Sequence, residues 1–106
     1  MHKHHIVFRS QGGLDFPLNI VELSYEQHEG NNGPHRNREY DLQLKKHLQD
    51  ELFFLFKDEK YTIDEIAQKL RKSKKYFEKH FRSVPMAAGL YAKEDIIRKL
   101  MGGKLY

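Results

Sequence analysis

Cysteine is absent from all 106 residues of the chain. Disulfides, zinc ribbons and thiol nucleophiles are thereby excluded, and a reducing compartment is the expected setting. The 3 prolines, Pro17, Pro34 and Pro85, fall where the apolar pattern breaks. No apolar run approaches the roughly 18 residues needed to span a bilayer. No signal-peptide core follows Met1-His2-Lys3-His4-His5. The expectation is a soluble, cytoplasmic protein with no membrane partner. Repeats and low-complexity tracts are missing too. Surplus charge is modest: 19 basic against 15 acidic residues, formally +4, which is a mild pointer to a polyanionic partner.

What remains is enough for one compact domain. Apolar residues make up 39% of the chain and aromatic residues 12%, so a shared core can form. Residues 1–35 are rich in His, Gly and Asn. The run His5-Ile6-Val7-Phe8 predicts a short strand. Arg9 to Pro17 reads as a loop, by Gly12-Gly13 and Pro17. Asn19 to Leu23 predicts a second strand. Ser24 is suited to cap a short helix through His28, which Gly30 to Pro34 breaks.

Residues 36–57 carry the strongest helical signal, with Tyr40, Leu44, Leu48, Leu52, Leu55 and Phe56 on one side. Residues 61–82 predict two short helices. Thr62 with Glu65 forms a capping box before Ile63, Ile66, Ala67 and Leu70. Ser73 is a second cap, before Tyr76, Phe77, His80 and Phe81, and Pro85 ends the segment. A last helix is predicted over 93–101, with Gly102-Gly103 as its stop. The fold class expected is α+β.

Histidine is the informative residue. Four of the 7 histidines lie within the first 28 residues, and histidine is both the commonest metal ligand and the usual acid–base group near neutral pH. His4-His5-Ile6 is followed by Gly12-Gly13, then Asn19, then His28 nine residues further on. This arrangement resembles the HNH (ββα-metal) endonuclease family. The likeness covers about a third of the chain and includes each element of the motif's core. The CxxC pairs that staple many members of the family are missing here.

The resemblance implies a ββα-metal unit at 1–35 followed by a helical extension at 36–106. It implies metal-dependent hydrolysis of DNA phosphodiesters. His4 and His28 would be metal ligands and His5 the general base that deprotonates water. Asn19 would tie the loop to the strand so that His5 is aimed correctly. A third ligand is His35, Asn32 or water. The ion would be magnesium, manganese, nickel or zinc, since histidine ligation alone does not select among them. Arg9, just past the first strand, is a candidate phosphate clamp. The ending Arg98 to Tyr106 is similar to small phage-encoded HNH proteins of Gram-positive hosts.

The pair of helices at 61–82 resembles a helix-turn-helix, and its second helix is basic. Lys72, Lys74, Lys75, Lys79 and Arg82 are its candidate DNA contacts. A plain helical hairpin with a solvated basic face fits the same pattern. Surplus apolar surface on the long helix also offers a face for a homodimer. The rival functions are a non-catalytic DNA-binding phage regulator and a structural zinc module.

Overall fold

The computed structural model describes residues 2–24 and 37–106. Among them are four α-helices and two small antiparallel sheets, an α+β fold. Strand β1 (His2–His5) pairs with β2 (Ile20–Leu23), in a register that sets His4 opposite Val21 and His5 opposite Ile20. Between them the chain makes short 3₁₀ turns at Arg9–Gln11 and Pro17–Asn19. The predicted short helix after Ser24 lies outside the described residues.

The first strand differs from its sequence reading. It runs over His2–His5, not His5 to Phe8, and begins where His2 pairs with Leu23. The cause is Asn19. Ile6 donates its N–H to the Asn19 carbonyl at 2.8 Å, and Val7 donates to the Asn19 side-chain oxygen, also at 2.8 Å. The main-chain ladder therefore gives way to a side chain at Val7, two residues past His5. Ile6 and Val7, read as strand, turn into the core instead.

Helix α1 (Arg38–Leu55) begins at Asn37, whose side chain accepts the Tyr40 N–H at 3.1 Å, with Glu39 and Asp41 in the first turn where the helix dipole favours acids. It is shorter than the 36–57 read from apolar spacing, because Phe56 leaves the helix and buries its ring against Tyr61. Helix α2 (Ile63–Leu70) starts with the Thr62–Glu65 capping box. Helix α3 (Lys74–His80) starts with Ser73, whose hydroxyl accepts the Tyr76 N–H. Helix α4 (Lys93–Leu100) closes the fold.

A second sheet went unread in the sequence: β3 (Lys60–Tyr61) pairs with β4 (Tyr91–Ala92). Two-residue strands leave too little alternation to see. Ahead of β4, Ala87 and Leu90 bridge across a tight turn whose central residues, Ala88 and Gly89, have φ of 54° and 78°.

One continuous core runs through both ends of the chain. Ile6, Val7, Leu14 and Phe16 from the N-terminal unit meet Leu48, Leu52 and Phe56 of α1 and its end, together with side chains of α2, α3 and α4. Each large side chain so buried contributes roughly 1.5–3 kcal/mol. A small β-unit in a chain without cysteine is thus completed by the helices.

Two glycines set how closely the parts approach. A Cβ on Gly13 would collide with the Val7 carbonyl, and one on Gly102 with the Gln11 carbonyl. Gly102 also has φ of 86°, which L side chains rarely adopt. It seats the end of α4 directly on the loop that follows β1. No helix among the described residues is long and apolar enough to cross a membrane.

Candidate functional site

The end of β1, the loop after it and helix α3 meet around one carboxylate. Adjacent strand residues point to opposite faces, and His4 and His5 follow that rule. His4 is buried with its ring edge-on to Phe8 at 5.4 Å, while His5 leaves the other side of the strand, half-buried. There His5 Nε2 stands 2.7 Å from Asp15 Oδ1. A contact this short to a carboxylate needs the ring proton on Nε2. In the neutral ring this tautomer puts the lone pair on Nδ1, the atom a base would use.

Arg9 completes the cluster. Its guanidinium lies 3.2 Å from the same Asp15 oxygen, and its side chain is 71% exposed. The sequence reading gave Arg9 to phosphate. Here one terminal nitrogen holds Asp15, Nε lies 3.5 Å from His5 Nε2, and the side chain is otherwise largely exposed.

Asn19 sits beneath this arrangement, fully buried. Its Oδ1 accepts the Val7 N–H at 2.8 Å, and its Nδ2 donates to the Leu14 carbonyl at 2.8 Å and the Val7 carbonyl at 3.2 Å. One amide therefore braces both ends of the loop that carries Arg9 and Asp15. An aspartate could not do this, because two of the three bonds need a donor.

Helix α3 reaches the cluster from the far side. The Asp15 backbone N–H donates to the Tyr76 hydroxyl oxygen at 2.8 Å. His80 packs on the Tyr76 ring at 4.4 Å, and the Lys72 ammonium lies 4.9 Å from that ring's centre. Asp15 and Tyr76 were not singled out from the sequence. Asp15 was legible in principle, being the one carboxylate in the first 21 residues. Tyr76, 61 positions away in sequence, was not.

The hydrogen bond from His5 is the main reason that the Asp15 carboxyl is held below its ordinary value. The nearby charges of Arg9, His5 and Lys72 act in the same direction, and partial burial opposes them. Burial lowers the His80 imidazole first, with Lys79 and Lys99 adding to it and Asp15 opposing. A depressed carboxylate pKa contributes stability that is complete above the unfolded value and lost as pH falls through the folded one. The Tm gap between the wild-type chain and Asp15→Asn is therefore expected to stay constant well above pH 3.8 and to close as pH drops below it. Thermal melts across that range check this. A gap unchanged in acid would mean that Asp15 gains nothing from its charge.

The remaining sequence candidates are dispersed. Lys74 pairs with Asp64 of α2 at 3.2 Å, both exposed. Lys75, Lys79 and Arg82 line an open depression on α3 with Ser73, Tyr76 and Glu78. His28, His35 and Asn32 lie outside the described residues. Of the donor set that the resemblance implies, His4 alone is described. Its buried imidazole is of the donor type that suits a divalent ion. Among the described residues no group of three or more His, Asp or Glu side chains stands ready to hold a metal.

No protein-family model, no curated protein and no solved structure matches this chain.

Proposed function

We propose that the chain is a metal-dependent endonuclease of the HNH type that hydrolyses DNA phosphodiester bonds. The observation that carries this reading is the 2.7 Å contact between His5 and Asp15, held in place by the buried Asn19 amide. A half-buried imidazole whose Nε2–H donates to a carboxylate is fixed in orientation, and its tautomer places the lone pair on Nδ1. Those are the two needs of a general base. The order His4, His5, Gly12-Gly13, Asn19, His28 supports it independently.

In this reading His5 takes the proton of the attacking water at Nδ1. Asp15 keeps the ring oriented and stabilises the imidazolium that forms. Arg9, anchored on Asp15, offers its outward donors to a phosphate oxygen. Asn19 positions and does not touch substrate. A divalent ion, held by His4 and His28 with His35, Asn32 or water, would relieve charge on the phosphate and on the departing 3′ oxygen. The products carry 5′ phosphates.

Supercoiled plasmid incubated with the protein and magnesium, manganese, nickel or zinc is expected to be nicked, and EDTA is expected to stop the nicking. A plasmid left intact with every metal would refute the reading.

A specific observation favours one other function, a non-catalytic DNA-binding regulator. Helices α2 and α3 are each capped at a Thr or Ser, and the β4 hairpin packs on the end of α3 through the Phe81–Tyr91 ring contact at 5.6 Å. Lys75 and Lys79 on α3 and Arg82 just past its end stay exposed. Duplex binding that ignores metal, without any nicking, would favour the regulator.

A further inference from the structure

Lys72 and Tyr76 have no part in the reaction as derived, yet both stand at the His5–Asp15 pair. The Tyr76 oxygen accepts the Asp15 N–H at 2.8 Å. Its own phenolic proton has no acceptor among the described residues. The Lys72 ammonium lies over the Tyr76 ring and close enough to act on the Asp15 charge. Lys72 makes no ion pair among the described residues, unlike Lys74, which is tied to Asp64. Arg9, the other cation at Asp15, is 71% exposed. Two cations therefore act on a single carboxylate, and a hydroxyl bonded to the backbone of the same residue keeps its donor unused, leaving a net positive charge. A tetrahedral anion accepts from several directions at once and suits such a set of donors.

We propose that Lys72 and Tyr76 form a second phosphate site beside the His5–Asp15 pair, one that holds the backbone phosphate of duplex DNA next to the phosphate that Arg9 meets at the point of cleavage. This inference rests on the hydrolytic reading for its choice of partner. It makes the turn between α2 and α3 part of the hydrolytic site. Lys72 then works apart from Lys75, Lys79 and Arg82, which occupy the exposed side of α3. Both halves of the chain grip the same strand.

The test uses the full chain and a short fluorescein-labelled duplex, titrated by anisotropy in EDTA over a series of salt concentrations. Lys72→Met keeps the aliphatic stem over Tyr76 and removes the charge. It is expected to lower the slope of log K against log salt by about 0.9, the value of one phosphate contact. Tyr76→Phe is expected to weaken binding about fivefold, the loss of one hydrogen bond, with the slope unchanged. With metal present, Lys72→Met should lose more kcat/KM on the duplex than on bis(p-nitrophenyl) phosphate, which has no neighbouring phosphate.

Wild-type affinity and slope in both variants would overturn the site, as would an equal loss on the small diester. If Tyr76→Phe lowers Tm by orphaning the Asp15 N–H, the Lys72→Met slope decides alone. A wild-type chain that cleaves neither substrate, with variants that still lose binding as stated, would remove the hydrolytic reading and leave the phosphate site standing.

Discussion

Replacing His5 with alanine is expected to lower metal-dependent nicking about a thousandfold, the usual contribution of a positioned general base. Metal binding should survive, because the proposed ligands are His4 and His28. His28→Ala should lose both metal binding and cleavage. Asp15→Asn should fall between His5→Ala and wild type, since it keeps a hydrogen-bond partner for the ring but removes the charge that stabilises the imidazolium. Single-turnover nicking with calorimetric metal titration separates the three variants. Cleavage that persists in His5→Ala would end the role given to that ring, and equal activity in Asp15→Asn would reduce the 2.7 Å contact to packing.

Asn19→Ala should be the most damaging substitution for the fold of the N-terminal unit. It strands the Val7 N–H and the carbonyls of Val7 and Leu14 in a site with no access to water. Each buried group left unpaired costs about 1–3 kcal/mol, so a loss of about 3 kcal/mol is a lower figure. For a domain of this size that is a fall in Tm of about 15 °C. Asn19→Asp should do no better, because it turns an oxygen toward two carbonyls. Thermal melting by circular dichroism reads both variants. A Tm within a degree or two of wild type would show that the loop does not depend on this amide.

The helical two-thirds of the fold was open to sequence reasoning. Its caps are local signals: Thr62 with Glu65, Ser73, and Gly102-Gly103 each act within a few residues. The apolar spacing that locates α1 is also local. What escaped was set at a distance. The end of β1 depends on a side chain at position 19, and the strand propensity of Ile6 and Val7 yields to it. The β3–β4 pair joins residues 30 apart through strands too short to show alternation. In the candidate site, histidine and asparagine were visible because a spacing pattern carries them. Asp15 belongs to no pattern and matters only through its distance to His5. Tyr76 reads as one more aromatic on an amphipathic helix, and only tertiary packing brings its hydroxyl to the Asp15 loop.

Lys45 lies on α1 facing the N-terminal unit, 1% exposed, with its ammonium 2.6 Å from Asp41 and 4.3 Å from the centre of the Phe8 ring. An amine-acylating reagent cannot reach it while that face is closed, though the exposed lysines react at once. The slow modification of this one amine, followed by mass spectrometry, would therefore clock how often the β1–β2 unit lifts from the long helix. The molecule carries its own built-in reporter of partial opening.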